Sequence, residues 1–235
     1  MDRPSTRRAF WQGARDGLPF LIAIVPFGMI FGVLASEAGW TRVQALGMSV
    51  LVIAGASQFT ALQLLGERAP LLLVILTALA INLRMVMYSA SLAPYIGAGG
   101  TAARASAAYL LTDQSYGVAI SRFTRSPPLA TTAERLGYFF GCALPVCLPW
   151  YAATWAGAVA GAAVPDALAL DFAVPVTFIA LVAPALRSRP HLAAAAVSVA
   201  VALALHRLPY NLWLLVAALV AMPTGALVEL WQERR

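Results

Sequence analysis

Long apolar runs follow one another along this chain from about residue 18 to residue 228. A soluble core has no use for so many segments that are greasy on every face. A bilayer does, because a spanning helix needs about 17–25 mostly apolar residues. The runs lie at roughly 18–36, 43–65, 70–93, 105–121, 136–163, 168–186, 191–206 and 211–228. They are continuous rather than the ten-residue alternating segments of a membrane β-barrel. Composition agrees, with 61% hydrophobic and 11% charged residues among 235. The expected fold is all-α: a polytopic membrane helical bundle of about eight transmembrane segments in the lipid bilayer. Residues 1–17 are expected as a cytoplasmic N-terminal segment, 18–228 as one transmembrane transport domain, and 229–235 as a cytoplasmic tail. Phe10, Trp11 and Leu18 suit a short helix lying at the lipid interface.

All 16 basic residues are Arg. With eight spans, twelve of them fall on the N-terminal side, three (Arg42, Arg104, Arg207) on the other, and Arg84 is set apart. Positive charge concentrates on the cytoplasmic side of membrane proteins, so both termini are expected to be cytoplasmic, in the cytoplasmic (inner) membrane. The basic balance therefore reports orientation, and no nucleic acid partner is expected. Cys142 and Cys147 lie in an apolar stretch and read as reduced core residues.

Several runs are punctured. The first, "GLPFLIAIVPFGMIFGVLA", carries Pro26 and Gly28 at its centre, and the second holds "GASQF" at 55–59. Proline removes a backbone donor and frees a carbonyl, which needs a partner or a water-lined cavity. Interrupted helices are how transporters build midplane sites, so Pro26-Phe27-Gly28 reads either as such a break or as the proline and glycine that are common in membrane helices. Pro145 and Pro149 make a kink or break expected in the long fifth run.

Arg84 sits near the middle of run 70–93, and Asp113 at the centre of run 105–121. A charge at a helix centre costs about 2.5–3.5 kcal/mol on insertion scales, so two opposite charges at one depth are expected to pair. Arg84, Tyr88 and Ser91 share a helix face at i, i+4 and i+7; Tyr109, Asp113, Tyr116 and Gly117 read as a similar face. Ser57, Gln58 and Asn82 lie close to the same depth. These groups surround a small polar solute, or they hold the bundle together by an ion pair and interhelical hydrogen bonds. No Walker loop, HExxH, GxSxG or Cys/His cluster occurs, so no enzyme, cofactor or metal site is expected.

The stretches "GLPFLIAIVPFGMIFGVLA", "GASQFTALQLL", "INLRMVMYSASLAPYI", "LLTDQSYGVAI" and "LDFAVPVTFIALVAP" resemble the AzlC-type family, the large subunit of branched-chain amino acid exporters. The resemblance departs at Gln114, where the family pattern often carries a second acid. It implies export of valine, leucine or isoleucine, and a small AzlD-type membrane subunit as partner. The residues themselves reach a helical transporter whose site comprises Arg84, Asp113, Gln58, Tyr88, Asn82, Ser57, Pro26 and Gly28. Joined to what the resemblance implies, Arg84 is expected to meet the carboxylate of an amino acid substrate and Asp113 its ammonium or a coupling proton. The alternative is a non-transporting scaffold subunit whose Arg–Asp pair is structural.

Overall fold

A computed structural model describes residues 3–125, 129–161, 186, 188–208 and 212–233, and no strand occurs among them. They fall into two compact units: residues up to 62 with 78–161, and residues 63–77 with those from 186 onward. The sixth expected run, 168–186, lies outside the described residues apart from residue 186.

Two rods frame the first unit. Arg3–Gly17 (α1), a 3-10 turn at Leu18–Phe20 and Leu21–Glu37 (α2) make the first rod. It is helical from Ser5 to Glu37 and long enough to cross a membrane. The 3-10 turn falls at Pro19, where a backbone donor is missing. Helix α2 continues through Pro26, so no break occurs there. The second rod, Thr132–Gly161, contains Pro145 and Pro149 and is also one helix.

Glycine sets how these rods touch. A Cβ on Gly137 would press on Thr6, one on Gly141 on Phe10, one on Gly157 on Met29 and one on Gly161 on Val33. Both residue numbers rise together, so the rods run parallel. Small residues let helix backbones approach closely where no hydrophobic effect drives association in lipid. Ala9, Gly13, Ala14 and Gly17 form the buried stripe of α1 while Trp11 and Leu18 stay exposed. The end of this unit with Thr6 and Gly137 is termed the near end; that with Val33 and Gly161, the far end.

Between the rods, two of the expected spans turn back. Arg42–Leu51 (α3) starts after the far end of α2 and runs inward until Ser49 meets Thr154 of the second rod, Oγ to Oγ1 at 3.0 Å. The chain turns at 52–54 and continues as Gly55–Gly66 (α4). Gly55 lies beside Phe27 and Trp150, and Phe59 packs edge-on against both Phe27 and Phe31. Going from Gly55 to Phe59 thus follows α2 outward, back to the far end. Leu71–Ile96 (α5) then runs the other way: Gly99 just beyond it reaches Leu136 near the start of the second rod.

The second hairpin enters from the near end. Thr101–Tyr109 (α6) runs inward until the Tyr109 hydroxyl meets that of Tyr151 at 3.0 Å. Asp113–Phe123 (α7) returns, with Ser115 beside Cys142 and Phe123 beside Tyr138. Runs 43–65 and 105–121 are therefore each a hairpin of two short helices and not one continuous helix. Their arms have 10, 12, 9 and 11 residues. At 1.5 Å per residue each is about 14–18 Å long, half the roughly 30 Å hydrocarbon core.

A rod followed by a hairpin thus occurs twice with opposite sense, α1–α4 and α5–α7, before Thr132–Gly161 (α8). This is the inverted repeat seen in secondary transporters. Gly55 and Asp113 both open the returning arm, and Ser57-x-x-x-Ala61-Leu62 matches Ser115-x-x-x-Ala119-Ile120. In both, the serine bonds the carbonyl three residues back: Ser57 Oγ to Ala54 O at 2.9 Å and Ser115 Oγ to Thr112 O at 3.2 Å.

In the second unit Arg189–Leu205 (α9) is capped by Ser188, which accepts from the His191 amide at 3.4 Å. It pairs with Leu212–Glu233 (α10), where Gly225 lies against Ala194. The seventh run, short and alanine-rich, thus forms a helix.

Candidate functional site: two hairpin tips and an ion pair

The tip of the second hairpin is built by a capping box. Thr112 Oγ1 accepts from the Ser115 amide at 3.2 Å, and Ser115 Oγ accepts from the Thr112 amide at 2.8 Å. This satisfies donors that a helix start would otherwise leave orphaned, at a depth where water is scarce. It also puts Asp113 in the first turn of α7, where the positive end of the helix dipole favours a carboxylate. A run read as one helix centred on Asp113 becomes two half-helices with Asp113 at the start of the second.

Arg84 reaches this carboxylate from α5, Nη1 to Oδ2 at 3.1 Å. The Tyr88 hydroxyl donates to Asp113 Oδ1 at 3.0 Å. Tyr88 stacks on Tyr116 with centroids 4.1 Å apart and planes 8° apart, and the Tyr116 hydroxyl donates to Ser91 Oγ at 3.1 Å. Arg84, Tyr88 and Ser91 therefore do share the face of α5 that their spacing implies. The ion-paired side chains keep 30% and 39% of their surface open, so the pair is not sealed inside a core. Arg84 Nε is buried and has no partner.

The first tip is polar without charge. Asn82 Nδ2 donates to Ser57 Oγ at 3.1 Å, and Gln58 Nε2 donates to Ser49 Oγ at 2.9 Å. Ser49, Ser57, Gln58 and Thr154 are all fully buried. Gln58 Oε1 and Asn82 Oδ1 are buried acceptors without a partner. Because Asn82 and Arg84 are two residues apart, α5 touches both tips at one depth. The tips also meet directly, since the Tyr109 hydroxyl donates to Val50 O at 2.8 Å.

Sequence and fold now point to one family. Residues 19–164 match the family described as AzlC protein. The chain belongs to the AzlC family. It is 32% identical over 225 residues to an uncharacterized membrane protein of Archaeoglobus fulgidus, covering 91% of this chain and 92% of that one. It is 30% identical over 118 residues to the inner membrane protein YgaZ of Escherichia coli, covering 50% and 48% of the two chains. An uncharacterized membrane protein of Helicobacter pylori is 36% identical over 87 residues, 35% of this chain and 38% of that one. No solved structure matches the chain.

Two expected site residues of this AzlC protein stand elsewhere. Pro26 is exposed on an unbroken α2. Gly28 packs on the second rod, where an added Cβ would come within 2.9 Å of Ala153 Cβ and 3.2 Å of Trp150 O. Gly28 serves helix packing, and the half-helix starts that the site needs come from Gly55 and Asp113. Tyr109 does not share a face with Asp113, because a turn separates them.

An aromatic group lies beside the first tip. Phe27 meets Phe59 at 5.2 Å and Trp150 at 6.5 Å between centroids, with Leu62 buried on the same arm as Phe59. Trp150 Nε1 is buried and unpartnered in this aromatic group. Ser49, Tyr151 and Thr154 are further polar residues of the site, and their partners lie far along the chain: Ser49 meets Thr154 across 105 residues and Tyr151 meets Tyr109 across 42. The repeat of Ser57-x-x-x-Ala61-Leu62 at Ser115-x-x-x-Ala119-Ile120 is the signal that would have exposed both tips. Cys142 and Cys147 are free and fully buried, as their apolar context implies.

Proposed function

We propose that this AzlC protein is a secondary transporter that exports hydrophobic, branched-chain amino acids across the cytoplasmic membrane. The observation that carries the reading is the half-open Arg84–Asp113 pair at a re-entrant tip, between helices of an inverted repeat. Intramembrane charges mark transport pathways, and transporters place half-helix starts at anionic substrate groups. An amino acid zwitterion carries the complement of both partners. Its carboxylate takes Arg84, including the unpartnered Nε, and its ammonium takes Asp113. The aliphatic side chain is assigned to the aromatic group of Phe27, Phe59 and Trp150. Substrate thus replaces an interaction that the empty protein makes with itself, which keeps both charges satisfied before and after release.

Orientation follows from arginine placement. Arg7, Arg8, Arg15, Arg104, Arg122, Arg125 and Arg135 lie on near-end segments of the first unit, and Arg42 on the far end. The positive-inside rule makes the near end cytoplasmic. We take both termini to lie on that side as well. YgaZ, a relative over half the chain, is named an inner membrane protein, in line with this location. Family membership supports a small AzlD-type subunit as partner. Neither reading involves catalysis, and the chain is taken as a transporter, not an enzyme.

The scaffold alternative rests on the same 3.1 Å pair, which is already satisfied without a ligand. Export of labelled leucine from cells expressing the chain with its small neighbour separates the two. Asp113→Asn is expected to assemble normally and to lose gradient-driven export. Wild-type export by an assembled Asp113→Asn variant leaves the scaffold reading in its place.

A further inference from the structure

A charged cavity of about 370 Å³ lies on the near-end side of the ion pair. Pockets for small ligands begin at about 300 Å³. Its walls come from α1, α7 and the second rod. Asp16 supplies a carboxylate, Arg122 and Arg125 supply guanidinium groups, and Gly117 and Ser121 form the α7 side. At the back, the buried hydroxyl of Tyr138 donates to Asp16 Oδ2 at 2.5 Å, which holds the acid in position. Opposite charges therefore face one space at the end of the bundle through which an exported solute would have to enter.

The same helix, α7, carries both the cavity wall and Asp113. Asp113, Gly117 and Ser121 follow one another at intervals of four residues, on one flank of a helix. Gly117 stands at the junction. A Cβ built there meets no heavy atom within 4 Å, so the space beside it is open. Glycine is a poor helix former, about 0.8–1.0 kcal/mol worse than alanine in a helix interior. Its presence in α7 is not explained by close packing, unlike Gly32, Gly141 or Gly157, each of which abuts backbone of the neighbouring rod. The open space of the cavity that it lines accounts for it.

We infer that this cavity is the cytoplasmic-side access vestibule of the transporter and a first docking position for an amino acid zwitterion. The carboxylate docks on Arg122 and Arg125 and the ammonium on Asp16, and the substrate then passes Gly117 to reach Arg84 and Asp113. This inference rests on the export reading above and names the route to that site.

The native cysteines are fully buried, so a cysteine placed at Gly117 is the accessible thiol to follow among the described residues. In cells that export leucine, Gly117→Cys is expected to react with a charged, membrane-impermeant thiol reagent from the cytoplasmic side. Leucine or valine should slow that reaction several-fold. Reaction from the outside alone, no reaction, or a rate indifferent to amino acid overturns the vestibule. Gly117→Trp should assemble but export at least tenfold more slowly. A Gly117→Trp variant that exports at the wild-type rate is equally fatal to the proposal. Asp16→Asn is expected to raise the apparent KM several-fold while leaving the maximal rate unchanged, and an unchanged KM removes Asp16 from the docking position. Export by the unmodified chain is the control. Its absence brings down the function and the vestibule together, while its presence with an unprotected Gly117→Cys brings down the vestibule alone.

Discussion

The Tyr109 hydroxyl donates to the Val50 carbonyl at 2.8 Å, joining the tips of two hairpins that enter from opposite ends of the bundle. A helix that stops inside a membrane leaves carbonyls without intrahelical partners. Here the α3 end is satisfied by a side chain from the opposing hairpin. The two tips therefore hold each other, and any step that parts them must break this contact.

Tyr109→Phe removes that donor and leaves Tyr151 to reach Val50 or water. A typical hydrogen bond contributes about 0.5–1.5 kcal/mol net, so the variant should still fold. Its melting temperature in detergent is expected to fall slightly, with a larger change in transport rate than in substrate affinity. An unchanged rate would detach the tip contact from the transport cycle.

Exchanging the ion pair by Arg84→Asp with Asp113→Arg tests function against glue. Pairing survives, but the arginine now occupies the first turn of α7, where the helix dipole disfavours a cation by about 0.3–1 kcal/mol. Assembly is expected to recover largely, compared with either single change, because neither charge is left alone. Export is not expected to recover. Labelled-leucine export at the wild-type level would assign the pair to structure.

Hairpins and spans differ in where their loops emerge. Gly100, before α6, and Thr131, after α7, are expected on the same side of the membrane. Single cysteines at these positions should both react with an impermeant thiol reagent from one side. Reaction from opposite sides would restore a crossing at 105–121.

Close packing of the rods predicts a strong steric effect. A Cβ at Gly32 would overlap the Thr154 carbonyl and lie 2.6 Å from the Ala158 amide nitrogen. Both obstacles are backbone and cannot swing aside. Gly32→Ala is expected to destabilise by about 1–3 kcal/mol, the usual cost of overpacking. Gly47→Ala, with nothing within 4 Å, should have little effect in the same thermal-unfolding measurement.

The amino-acid sequence by itself determined the membrane class, the helical content, and the pairing of Arg84 with Asp113. Each follows from a local rule: twenty apolar residues partition into lipid, and a buried charge needs its opposite at similar depth. The i, i+4, i+7 spacing likewise placed Tyr88 and Ser91 beside Arg84. Direction of travel was not legible. A run of 23 apolar residues has the same hydropathy whether it crosses or turns back at its middle, so 43–65 and 105–121 read as spans. Proline misled in the opposite sense: Pro26 suggested a break that helix α2 does not make, while the real turns fall at 52–54 and 110–112, where no proline stands. Only tertiary contacts decided this, because a hairpin tip is stable when partners from elsewhere in the chain satisfy its free carbonyls and amides. Val50 finds Tyr109 across 59 residues, and Ser57 finds Asn82 across 25. Such partners lie far along the chain, and the folded bundle alone sets them side by side.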